Sequence, residues 1–152
     1  MYGARLDAAR GVMVGLFSGP SNGDDDYQHY VDSLLDADRT ARPNVAQIVV
    51  LVVDRENPAP SAQWRKKIAD ATARVQSADV LFVLCAESPL IRGVVTAINW
   101  IRPPKYDVEV VSTPDAMLAA VAERRAPAED VARRLLAELR VASRISERTS
   151  SG

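Results

Sequence analysis

With 152 residues, 47% of them hydrophobic and 26% charged, the chain has the size and make-up of one globular domain; two domains would each be too small. A formal net charge of −1 supplies no overall basic field, which speaks against nucleic acid as a partner. A single cysteine, Cys85, and a single histidine, His29, exclude an internal disulfide and a Cys/His zinc site, and no apolar run approaches the roughly 20 residues that span a bilayer.

Tyr2 to Leu6 and Gly11 to Phe17 are expected to pair as a hairpin through Asp7-Ala8-Ala9-Arg10, with the second strand stopping at the turn formers of residues 18–23. From Asp24 to Ala41, the residues Tyr27, Tyr30, Val31, Leu34 and Leu35 recur at i, i+3, i+4, i+7 and i+8, one face of a helix. Asp24, Asp25 and Asp26 fall in its first turn, where the helix dipole favours negative charge. Three adjacent carboxylates also suggest a hard-cation site, but consecutive residues diverge around a helix and no second ligand group accompanies them. Val45 to Val53 reads as the central strand, apolar on both faces. After a connection from Asp54 to Pro60, Ser61 to Gln76 returns to helical spacing, with Trp64, Ile68, Ala71 and Val75 as the inward stripe. Val80 to Cys85 is a second buried strand in which Cys85 acts as a small core residue. Ser88 and Pro89 suit the start of a helix that runs to Trp100 with Ile91, Val94, Val95 and Ile98 inward, until Arg102-Pro103-Pro104-Lys105 breaks it. A short strand at Val108 to Val111, a helix from Thr113-Pro114-Asp115 through Arg124 and an amphipathic helix from Pro127 to Arg144 complete residues 1–145 as one domain. The polar segment from Ser146 to Gly152 is expected to be a disordered tail.

This order defines an α/β fold: a mixed, mostly parallel sheet of four to five strands with an N-terminal hairpin, helices alternating with strands, and one extra C-terminal helix. In such sheets function usually sits at the carboxyl ends of the strands. Ser61, Ser88 and Thr113 mark three helix starts on that edge, and Arg55, Arg65 and Arg92 lie on or just after the same connections, a set suited to an anion such as phosphate, carboxylate or a lipid headgroup. Helix capping accounts fully for the hydroxyls and is the stronger of the two readings, with the arginines solvated. Asp54 is the one acid directly after the central strand, as a site carboxylate or a turn residue. Trp100, beside Asn99, Arg102 and Pro103, is a candidate partner or dimer contact, although tryptophan is on average well buried. Gly15, Gly19 and Gly23 are spaced by four and form neither a dinucleotide nor a phosphate-loop signature; no nucleophile elbow accompanies His29, so no cofactor and no hydrolytic triad is expected.

The opening hairpin, VAQIVVLVVD at Val45 to Asp54 leading into a helix, VLFVLC at Val80 to Cys85 leading into SPLIRG at Ser88 to Gly93, and the late helix PDAMLAAVAERR at Pro114 to Arg125 together resemble the STAS domain family. This family is also called the anti-sigma-factor antagonist fold; the likeness spans about residues 2–125 and is nearest to its divergent bacterial branch, related in shape to CRAL-TRIO lipid carriers. The resemblance implies a non-enzymatic regulatory domain that docks partner proteins or binds small anionic or lipidic ligands. It also implies a phosphorylatable serine at the start of the helix after the central strand, which here is Ser61. The family's switch has an acid followed closely by serines and a glycine, whereas six residues separate Asp54 from Ser61 in this chain.

These residues admit three functional readings. The first is a regulatory, protein-interaction domain that docks through the helix-start edge or a helix face, with Asp24, Asp25, Asp26, Asp32, Asp36 and Asp38 as one acidic surface. The second is a binder of a small anionic ligand or lipid at Asp54, Arg55, Ser61, Arg65, Ser88 and Arg92. The third is an enzyme with an unrecognised site. Self-association through the last helix and a cytoplasmic location are further expectations. A deep pocket at the carboxyl edge would favour the ligand, a flat edge the docked partner.

Overall fold

A computed structural model describes residues 1–42, 47–77 and 79–152. It begins with a hairpin, β1 (Tyr2–Asp7) and β2 (Val12–Phe17), and then α1 (Asp24–Arg39). Strand β3 (Gln47–Val53), helix α2 (Ala62–Arg74), strand β4 (Val80–Ala86), helix α3 (Pro89–Ile101) and strand β5 (Asp107–Val111) then alternate, and α4 (Pro114–Arg124) and α5 (Ala128–Ser150) close the chain. Val45 and Ala46, expected at the start of the central strand, lie outside the described residues. The hairpin turn is held by Asp7, whose carboxylate accepts the Arg10 amide at 3.1 Å, and by Gly11 at φ +66°, a conformation that favours glycine.

The strands lie in sequence order, β1-β2-β3-β4-β5, with β1 antiparallel to β2 and the remaining pairs parallel. Every residue of β2, β3 and β4 is buried, as their unbroken apolar runs require. Alternation along each strand divides them between two cores. Met13, Phe17, Val49, Leu51, Phe82 and Leu84 face α1, α2 and α3. Val12, Val14, Ile48, Val50, Leu81 and Val83 face α4 and α5. The cause of this three-layer arrangement is topological. Right-handed crossovers between strands that never reverse order deliver all three connecting helices to one face. The other face is left to the two helices C-terminal to β5, so the extra C-terminal helix is a core element.

Helix α5 also runs further than its sequence pattern suggests. It passes the expected end at Arg144 and continues to Ser150 through most of the segment read as a disordered tail. Its 23 residues extend about 34 Å, against about 20 Å for the six residues of β2, so its end overhangs the sheet.

Candidate functional site

Ligand crevices in open α/β sheets form where the strand order reverses and successive helices leave to opposite faces. In this sheet the order never reverses, so the carboxyl edge lacks that crevice. Asp54 faces α5: Arg140 Nη1 donates to both of its carboxylate oxygens at 2.7 Å. Beside this pair, the Ser18 and Ser143 hydroxyls share a buried hydrogen bond of 2.9 Å. Burial pushes the Cys85 thiol up from its usual value, an effect that Arg140 opposes and Asp54 reinforces. Neither Arg140 nor Ser143 carries a sequence signal for this role, because each meets its partner across most of the chain.

The arginines of the expected anion site make bonds within the protein. Arg55 is exposed and lies 3.5 Å from Glu87. Arg92 Nη1 donates to the Ala86 and Glu87 carbonyls, each at 2.8 Å, and Arg65 Nη1 donates to the Pro60 carbonyl at 2.9 Å. Ser61 and Thr113 are caps that accept from the Trp64 and Ala116 amides at 3.3 and 3.2 Å. Ser88 precedes α3 without a side-chain cap bond. The structure therefore brings Arg55 and Arg92 together around Glu87 and sets Ser61 and Arg65 on α2. Trp100 lies at the far end of α3, about 18 Å from Ser88 along the helix.

Three of the six acids of α1 are similarly engaged within the fold. Asp24 accepts from the Trp64 indole at 2.8 Å, Asp26 accepts from the Tyr2 and Gly23 amides at 2.8 Å each, and Asp38 accepts from Gln76 and Ser77 amides at 3.0 Å each. Among the described residues, no group of three possible ligand side chains could hold a metal ion, and no helix is long and apolar enough to cross a membrane.

Two features near α3 gather residues beyond those expected from sequence, and the second includes the expected Trp100 and Arg65. The first is a cavity of ≈ 70 Å³ between the sheet and the α1–α2–α3 layer, which reaches Asn57, Pro58 and Pro60 at the carboxyl edge. Its walls are mainly apolar, with the hydroxyl-bearing residues Tyr27, Tyr30, Thr72 and Tyr106 among them. Asn57, on its rim, is buried and donates to the Ser18 and Gly19 carbonyls at 3.3 and 3.0 Å, which fixes the β3–α2 connection.

The second is the outer face of α3. Leu90, Trp100 and Ile101 are 66%, 81% and 79% exposed, so the average tendency of tryptophan to be buried does not hold for Trp100. The reason lies in the helix itself, whose apolar surface extends beyond its inward side: Ile91 and Ile98 point inward, Leu90, Ala97 and Ile101 lie along the outside, and Val94 stands between the two. Next to this face runs a groove of ≈ 330 Å³ between α2 and α3, with Ala62, Ala69, Ala97 and Ile101 among its walls. Arg65, Lys66 and Arg102 also line the groove, and its one acid among the described residues, Asp70, lies 3.3 Å from Arg102.

Compared with known proteins, the chain matches no family model, and no curated protein or solved structure is significantly similar to it.

Proposed function

We propose that this chain is a non-enzymatic, STAS-like regulatory domain that docks an acidic protein partner on the outer face of α3 and the adjoining α2–α3 groove. The observation that carries this reading is a helix apolar on its outer as well as its inner side, with a tryptophan 81% exposed near its end. Such a helix belongs in a core, and tryptophan is among the residues that dominate binding energy when an interface covers it. The cations of the groove argue for the partner's charge. Arg65, Lys66 and Arg102 against Asp70 leave a net positive rim, which attracts an acidic surface and discourages two identical copies from meeting there. Ser61 gives the reading a regulatory element. A phosphate on this exposed cap of α2 would lie near the start of the same groove and reduce its positive charge.

The experiment is photo-crosslinking from position 101 in cells, comparing the unmodified face with Trp100→Glu, and then binding of the purified candidate. An acidic protein whose affinity falls at least about tenfold on Trp100→Ala, and weakens with added salt, supports the proposal. A dimer of this chain that Trp100→Ala breaks would replace the acidic partner with a second copy. Binding indifferent to Trp100 would remove α3 from the proposal altogether.

A further inference from the structure

The cavity beneath α3 differs in chemistry from both the groove above it and the expected anion site. Val94 and Ile98 line cavity and groove alike, so a single layer of side chains separates the two. Among the described residues no charged side chain lines the cavity, and an ionised ligand placed there would lose its hydration without gaining a counter-charge. The available polar groups are neutral. Tyr27 already accepts a hydrogen bond from Asn22 at 3.1 Å. Tyr30, by contrast, is a buried residue whose hydroxyl makes no hydrogen bond among the described residues, so it is free to pair with a partner that reaches it. Aromatic rings from Phe17, Tyr30, Phe82 and Tyr106 supply flat walls.

We propose that this cavity binds a small neutral molecule, largely apolar and aromatic, with one hydroxyl group that pairs with Tyr30. Size limits the ligand. An apolar cavity of about 150 Å³ takes a benzene ring, so a phenol-sized molecule enters ≈ 70 Å³ only if α3 moves outward. That movement is compatible with the seating of α3, whose buried residues are Ile91 and Ile98 alone.

Phenol, toluene and benzoate are the probes, read by thermal melting and by the aromatic proton spectrum of the unmodified protein. Phenol should raise Tm by about 2–5 °C at saturation and shift the Tyr30 and Tyr106 resonances. Tyr30→Phe should weaken phenol about fivefold to tenfold while leaving toluene within about twofold. Val95→Phe and Ile98→Phe, made separately so that at least one variant keeps a cooperative melt, should abolish binding of both neutral probes by filling the space. Phenol binding that survives the filling variants, benzoate binding as tight as phenol, or no resonance shift with any probe would each overturn the proposal.

Discussion

A methyl group on Gly15 would lie 2.5 Å from the Tyr2 hydroxyl and 2.9 Å from its ring. The ring has no room to retreat, because Phe17, His29 and Tyr30 surround it at centroid distances of 4.7, 5.0 and 5.6 Å. Gly15→Ala should therefore cost about 1–3 kcal/mol in urea unfolding, the usual range for an overpacked core. Gly93→Ala is the matched control: its added carbon meets nothing within 4 Å on exposed α3, and helix propensity favours the alanine. Equal losses at the two positions would refute the role given to Tyr2. Asp38 makes a pH-dependent contribution of known sign. Burial alone would raise its carboxyl, but the donated amides of Gln76 and Ser77 hold it below the ordinary carboxylate value. A folded value below the unfolded one contributes stability that is complete above about pH 4 and is lost as pH falls through the lowered value. Asp38→Asn should thus reduce stability near neutrality and flatten the acid limb of the stability profile. An unchanged slope below about pH 4 would show that another carboxylate governs that limb.

At the scale of elements, α3 supplies a clean division between inner and outer residues. Ile98→Ala should cost about 2–4 kcal/mol through lost burial, whereas Ile101→Ala and Trp100→Ala should stay within about 0.5 kcal/mol. A large loss at Trp100 would mean that the outer face is covered within the isolated chain. The sequence makes this helix visible, through its proline start and the Ile91-to-Ile98 spacing, but conceals its exposure. Outside the polar stripe of Arg92, Thr96 and Asn99, its apolar surface is wider than one buried face needs, so the pattern does not say which part stays uncovered. The strands are legible for the opposite reason: continuous β-branched runs such as Gln47–Val53 admit only a position covered on both faces. A crevice at a reversal of strand order depends on topology, which no local periodicity encodes, and the cavity that does reach the carboxyl edge lies under α3. Asp54 stands out in the sequence, yet its partner Arg140 lies 86 residues away. The Ser146-to-Gly152 composition has no apolar stripe, so the continuation of α5 to Ser150 is likewise hidden.

The whole molecule is a sheet that needs two separate covers, and the C-terminal cover should decide whether the chain folds. Helices α4 and α5 shield Val12, Val14, Ile48, Val50, Leu81 and Val83, and α5 supplies Val131, Leu135 and Leu139 to that core. Without α5, the apolar side chains of β2 and its neighbours on that face would form an exposed patch larger than a soluble monomer usually tolerates. Its last turns are different: beyond Ser143 every residue of α5 is exposed. A chain ending at residue 144 should therefore retain a cooperative melt with Tm lowered by less than about 3 °C. A chain ending at residue 126 should lose the Asp54–Arg140 pair together with the α5 side of the second core, and should aggregate or bind hydrophobic dye without a cooperative transition. If residues 1–126 instead melt cooperatively near the full-length temperature, the α1–α3 layer and α4 support the sheet without α5. The buried face of α5 would then be a detachable surface, and the function of this protein would have to be sought there as well as on α3.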